Sequence, residues 1–218
     1  MSNLFLSFDG ESYSLTTPGY VLIAILIFAV LVLISAIVGN GKKIGAKPLV
    51  FSAAALGLAV VTSMIKVLEM PMGGSITLCS MLFVVLIGYW YGSTVGLMAG
   101  IAYGLLQFIL DPYILSLPQV LVDYIFAFGA LGLSGFFSGK KNGLILGFIA
   151  AVLGRFVFAV LSGVIFFGQY APENMSPLVY SVSYNGAYLG AEAVLTIVIL
   201  LIPAVRKAMD HVKRLATE

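Results

Sequence analysis

The sequence predicts an all-α integral membrane protein with seven spans, and three observations carry that reading. Hydrophobic residues make up 61% of the 218 and charged residues 9%, against about 25% charged in a soluble domain. Apolar stretches long enough to span recur near 19–38, 48–69, 75–91, 94–110, 119–138, 143–167 and 178–204. An alternating path through seven spans also puts nine of the eleven basic residues on one side: Lys42, Lys43, Lys47, Lys140, Lys141, Arg206, Lys207, Lys213 and Arg214. The positive-inside rule makes that side cytoplasmic, with the N-terminus outside and the C-terminus inside.

The first run follows Asp9 and Glu11 and precedes its lysines. That is the reverse of a signal peptide's charge order, so it reads as a retained transmembrane helix. The second run carries small-xxx-small pairs, Ala53/Gly57 and Ala55/Ala59, which let another helix approach closely. Pro71-Met72-Gly73-Gly74 breaks the second span from the third, Asp111-Pro112 the fourth from the fifth, Gly139 to Asn142 the fifth from the sixth, and Gln169 to Pro177 the sixth from the seventh. The outer loops hold Glu69, Asp111 and Glu173, a mildly acidic mouth. No polar block is long enough for a soluble domain, and no internal repeat of the kind that builds two-halved carriers is evident.

Three ionisable residues fall inside apolar stretches: Asp123, Arg155 and Glu192. A charge at the bilayer centre costs somewhere between about 2.5 and more than 10 kcal/mol, so each calls for a partner, a cavity or a substrate path. Asp123, with Tyr124, lies one turn into the fifth span, where it either caps the helix, pairs with Arg155 or meets a cationic ligand. Arg155 cannot deprotonate and reads as a structural partner of Asp123 or Glu192, or as a substrate contact. Glu192 reads as a buried partner or a protonated helix residue. Tyr180, Tyr184 and Tyr188 form one stripe on the last helix with Asn185 beside it, a surface suited to a flat, cationic, hydrogen-bonding ligand. The lone Cys79, and a single His211 in the polar tail, leave no cysteine- or histidine-based metal site or catalytic triad. No Walker lysine motif, HExxH or Gly-x-Ser-x-Gly is present. The chain is expected to be no enzyme, to need no cofactor or metal, and to bind no nucleic acid.

Several runs carry a family resemblance. They are Met70-Pro-Met-Gly-Gly-Ser75, Gly100 through Ile114, Gln119-Val-Leu-Val-Asp-Tyr124, Leu161 through Pro172, and Val179-Tyr-Ser-Val-Ser-Tyr-Asn-Gly186. Over roughly residues 48–205 the chain resembles the thiamine-specific S-components (ThiT type) of energy-coupling factor transporters. The resemblance implies a six-helix substrate-binding core at 48–205. Residues 1–47 then form an outer N-terminus, an accessory helix and a basic cytoplasmic loop, and residues 206–218 a basic tail. It implies capture of thiamine from outside a bacterial plasma membrane, with delivery driven by a transmembrane coupling subunit and two ATPase subunits.

By the same resemblance the family's cation-facing acid falls on Asp123, followed by Tyr124. Its loop tyrosine falls on Tyr113, its last-helix tyrosine and asparagine on Tyr180 and Asn185, its pocket glycine on Gly163, and its ring-stacking aromatic on Phe167. Arg155 keeps a basic position of the pocket wall, and Ala53 with Gly57 falls on the coupling-subunit docking face. The family's pocket histidine is Ala159 here, which leaves open a ligand related to thiamine, such as its pyrimidine part. A standalone ion-coupled carrier using Asp123, Arg155 and Glu192 as a relay is the rival reading.

Overall fold

A computed structural model describes residues 4–8, 13–22, 25 and 45–218. Most of the 19–38 span, and Lys42 and Lys43, lie outside the described residues. At the N-terminus, β1 (Leu6–Phe8) and β2 (Tyr13–Leu15) pair antiparallel. Six apolar helices then follow: α1 (Ala46–Ser63), α2 (Ser80–Tyr91), α3 (Ser93–Leu110), α4 (Leu117–Phe137), α5 (Gly143–Phe166) and α6 (Pro177–Leu201). Among the described residues, all but α2 are long and apolar enough to cross a bilayer.

Three expected boundaries are corrected. The 48–69 run is helical only to Ser63, and Lys66–Glu69 forms a strand, β3. The 75–91 run begins with the partner strand, β4 (Ser75–Thr77), and only Ser80–Tyr91 is helix. At 1.5 Å per residue this helix is about 18 Å long, well short of a hydrocarbon core about 30 Å thick. It does not need to cross alone, because neighbours cover it: Met81, Val84, Val85 and Ile87 are fully buried. A helix apolar on every side belongs in the core rather than at its surface.

The third is the end of the 178–204 run: α6 stops at Leu201, and a separate helix from Pro203 to Thr217, here α7, takes in the basic tail. Val205, Met209 and Val212 pack against the core, and Ala216 is buried. The Tyr91 hydroxyl at the end of α2 donates to the Ala216 carbonyl at 3.1 Å. Apolar residues at spacings of four, three and four make one helical stripe, with Arg206, Lys207 and Arg214 exposed and Lys213 at the stripe's border over the Tyr89 ring.

The core helices approach at glycines. Gly96, Gly100 and Gly104 form one face of α3, and a Cβ at these positions would meet Gly132 Cα at 3.0 Å, the Phe128 carbonyl oxygen at 2.3 Å and the Tyr124 carbonyl oxygen at 1.7 Å. Four-residue spacing keeps them on one stripe, so α4 lies against bare backbone. The wall it presents is irregular: α-helical at Leu117–Val120, a π segment at Leu121–Phe126, and 3₁₀ at Ala130–Phe137. The π segment contains Asp123 and Tyr124, and such segments often mark functional positions.

Candidate functional site

Helices α3 to α6, the α2 N-terminus and the β3–β4 hairpin enclose a cavity of about 420 Å³, within the range of small-molecule sites. All nine expected binding residues line it: Tyr113, Asp123, Tyr124, Arg155, Ala159, Gly163, Phe167, Tyr180 and Asn185. They come from four places in the chain, and the fold brings them to one chamber.

Asp123 is held by a residue the sequence reading left without a role. Gln119 lies four positions earlier, one turn away on the same face. Its Nε2 donates to Asp123 Oδ2 at 2.7 Å and to the Tyr113 carbonyl at 3.2 Å, while its Oε1 accepts from the Leu115 amide at 3.0 Å. Gln119 therefore fixes both the carboxylate and the loop carrying Tyr113. Tyr124 does a parallel job: its hydroxyl accepts from the Tyr113 amide at 2.9 Å and donates to the Asp111 carbonyl at 3.0 Å. Tyr113 then stacks on Phe167, with ring centroids 5.7 Å apart and planes at 29°.

Asn185 is committed to the protein rather than free. Its Nδ2 donates to the Ser181 carbonyl at 2.9 Å and the Ala159 carbonyl at 3.3 Å, and its Oδ1 accepts from the Tyr188 hydroxyl at 3.0 Å. Gly163 admits Ser181 at close range, since a Cβ there would stand 2.0 Å from Ser181 Oγ. Ala159 lines the same wall with only a methyl group.

The expected pairing of Arg155 with Asp123 or Glu192 does not occur. Among the described residues the ion pairs all involve Lys66, and the Arg155 guanidinium instead sits over the Phe128 ring, 4.0 Å from its centroid. This cation–π seat is open to the cavity. Glu192, the least explained of the buried charges, caps a helix. One oxygen accepts from the Thr77 amide (3.1 Å) and hydroxyl (2.6 Å), the other from the Ser80 hydroxyl and Met81 amide (3.2 Å each). A carboxylate there meets the unsatisfied donors and positive end of α2. The signal was legible in part: Thr77 and Ser80 are polar residues at the head of an otherwise apolar run.

The hairpin between α1 and α2 roofs the chamber. Its turn uses Met72 at φ 61° and Gly73 at φ 87°, left-handed values that glycine takes at little cost. Bare backbone at Gly74 lets Tyr184 approach, since a Cβ there would lie 2.5 Å from its hydroxyl. The tyrosine stripe of α6 holds this roof: Tyr184 donates to the Pro71 carbonyl and accepts from the Gly74 amide at 3.0 Å, and the Tyr180 hydroxyl points to Met72 Sδ at 3.7 Å. Outside the spans, Lys66 bridges Asp111 at 2.8 Å and Glu69 at 3.3 Å. The hydrogen bond that Lys66 donates to Asp111 is the main reason its ammonium is held above its usual range. Two of the three acids of the mouth are thus matched by this lysine.

Ala53 and Gly57 do not reach the cavity. Both are exposed on the outer face of α1, and nothing lies within 4 Å of a Cβ added at Gly57. Their companions Ala55 and Ala59 face inward, and the Ala59 carbonyl accepts the Tyr103 hydroxyl at 3.3 Å.

Known proteins share both sequence and fold with this chain. Residues 49–211 match the family described as thiamine transporter protein. The thiamine transporter ThiT of Bacillus subtilis is 34% identical over 165 residues, covering 69% of this chain and 84% of that protein. The solved structure of ThiT from Listeria monocytogenes superposes with a TM-score of 0.65 at 25% identity, covering 74% of this chain and 96% of that one. The protein is thus a multi-pass membrane protein, not an enzyme, and it belongs to the thiamine transporter family.

Proposed function

We propose that this chain is the thiamine-capturing S-component of an energy-coupling factor importer. The observation that carries the reading is a carboxylate, Asp123, steadied by Gln119 on the wall of an aromatic-lined chamber. A desolvated anion beside aromatic faces suits a cationic heteroaromatic ring, which gains both charge pairing and π contact. The relationship to ThiT supports thiamine as that cation. The chamber opens toward the outer leaflet, with the N-terminus outside and the C-terminus in the cytoplasm, and the exposed Ala53/Gly57 face of α1 docks on a transmembrane coupling subunit whose two ATPases drive release. The core extends over 48–205, flanked by the N-terminal addition and the basic tail.

Calorimetric titration of the purified chain with thiamine, its phosphates and its pyrimidine half tests the assignment. Nanomolar-range binding of thiamine is expected. Absence of saturable binding below micromolar concentration would sink it. Trp90 does not line the cavity, so tryptophan quenching is a poor substitute.

One observation favours a second ligand reading. With alanine at 159 the wall lacks an imidazole, and a smaller, pyrimidine-type ligand would lose less there than full thiamine. Tighter binding of the pyrimidine than of thiamine would select it. The ion-coupled relay is disfavoured, because Glu192 already meets four donors and Arg155 pairs with neither acid.

A further inference from the structure

The matched family region begins at residue 49, yet residues well upstream of it touch the loop that carries Tyr113. The β1–β2 hairpin is tied closed by its own polar groups. The Thr16 hydroxyl donates to the Leu4 carbonyl at 2.7 Å, and the Thr16 amide to the Phe5 carbonyl at 3.2 Å. Gly19 lets the following turn sit against it, since a Cβ there would lie 2.2 Å from the Phe5 carbonyl oxygen. The outer edge of β2 then extends its pairing to a different part of the chain. Tyr13 and Ile114 form an antiparallel bridge in which the Tyr13 amide donates to the Ile114 carbonyl at 2.8 Å.

Ile114 is buried, and it directly follows Tyr113. Three further backbone groups of the same short loop are fixed by α4: the Tyr113 amide by Tyr124, and the Tyr113 carbonyl and Leu115 amide by Gln119. The Ile114 carbonyl is the group on the outer side that those residues leave to the hairpin. A loop whose polar backbone groups are satisfied from two sides opens less often than one held from a single side.

We propose that the N-terminal hairpin is a clamp on the ligand site: Tyr13, through its backbone bond to Ile114, positions the Tyr113 loop and so slows ligand exchange. The clamp rests on the reading of the cavity as a ligand site, but its effect on the loop does not. The coupling is local. The Tyr113 carbonyl shares the Gln119 amide with Asp123, so loosening Ile114 frees the residue that steadies the carboxylate. Tyr13 is a positioning residue and lies outside the cavity lining.

The test compares Tyr13→Pro, which deletes the amide donor, with Tyr13→Ala, which keeps it. Both lose the same ring, so their difference reads the loss of the amide donor together with proline's fixed φ. Hydrogen exchange in the ligand-free, full-length chain is expected to be faster over 113–116 in Tyr13→Pro than in Tyr13→Ala. Pre-bound radiolabelled thiamine, chased with unlabelled vitamin, should leave Tyr13→Pro roughly five-fold faster, the ratio one ordinary hydrogen bond supplies. Equal exchange and equal release in the two variants would overturn the clamp. Faster exchange with no thiamine bound even by the unaltered chain would support the clamp and refute the ligand assignment. Should Tyr13→Pro misfold, a chain starting at residue 17 must show the same rise in exchange over 113–116, and unchanged exchange there would equally overturn the proposal.

Discussion

At the residue scale, the buried charges divide by the donors around them. Glu192 satisfies four donors at the head of α2. Replacing it by glutamine turns an acceptor into an NH₂ that faces two of those donors, leaving buried groups unpaired at about 1–3 kcal/mol. Glu192→Gln is expected to lower the melting temperature of the purified chain, as read by thermal unfolding in detergent, and an unchanged midpoint would remove its capping role. Its sequence context announced a costly charge but not its purpose. The donors lie more than a hundred positions away, and only the fold brings them in. Gln119 was more legible, since an amide one helical turn before a half-buried aspartate lies on the same face in any helix, regular or widened. Of the roles open to Arg155, the ion pair fails because sequence arithmetic pairs opposite charges, whereas a guanidinium is also satisfied by the face of an aromatic ring, here Phe128.

At the scale of elements, glycines determine how closely α3 and α4 pack. Gly104→Ala would drive a methyl group into the Tyr124 carbonyl and push away the π segment that carries Asp123. Expression or ligand binding should fall steeply, as measured by yield and titration. Gly57→Ala, with open space at its Cβ, should leave both unchanged, whereas Gly57→Leu should spare binding and abolish uptake by the assembled importer. Uptake that survives Gly57→Leu would show that the outer face of α1 is not the docking face.

The β3–β4 hairpin obeys different physics. Lys66 and its acids are largely exposed, so their pairing contributes about 0–1 kcal/mol and weakens with salt. Because the lysine's value is raised on folding, that contribution is complete at neutral pH and fades only as pH rises through the raised value. Lys66→Met should therefore speed thiamine release modestly at low salt and converge on the unaltered chain at high salt. These two strands were invisible to a hydropathy reading, which sees Val67, Leu68 and Ile76 as more of the same apolar run. The turn between them, with Pro71, Gly73 and Gly74, was the legible part.

At the scale of the whole molecule, the spacing of apolar runs made the helix order readable, because each of the six later runs, those among the described residues, contains a helix. The failures cluster at the membrane ends. There an amphipathic segment such as α7 packs sideways on the core, and a buried helix such as α2 is excused from spanning by its neighbours. The expected topology can be checked by placing single cysteines at Glu173 and Lys207 in a chain lacking Cys79. An impermeant reagent applied to intact cells should label the first and spare the second, and the opposite pattern would invert the orientation.

The site itself is an assembly of distant segments, held by hydrogen bonds that stop at the cavity wall and leave Asp123 facing inward with its aromatic surroundings. In the proposed function this carboxylate receives the cationic ring of thiamine. Removing a buried counter-charge costs at least about 2 kcal/mol, or roughly 30-fold in affinity. Titration of thiamine into the unaltered chain and into Asp123→Asn, side by side, tests this most directly. Nanomolar-range, one-to-one binding that weakens by 30-fold or more in the variant is the predicted result, and equal affinity in the two would contradict it.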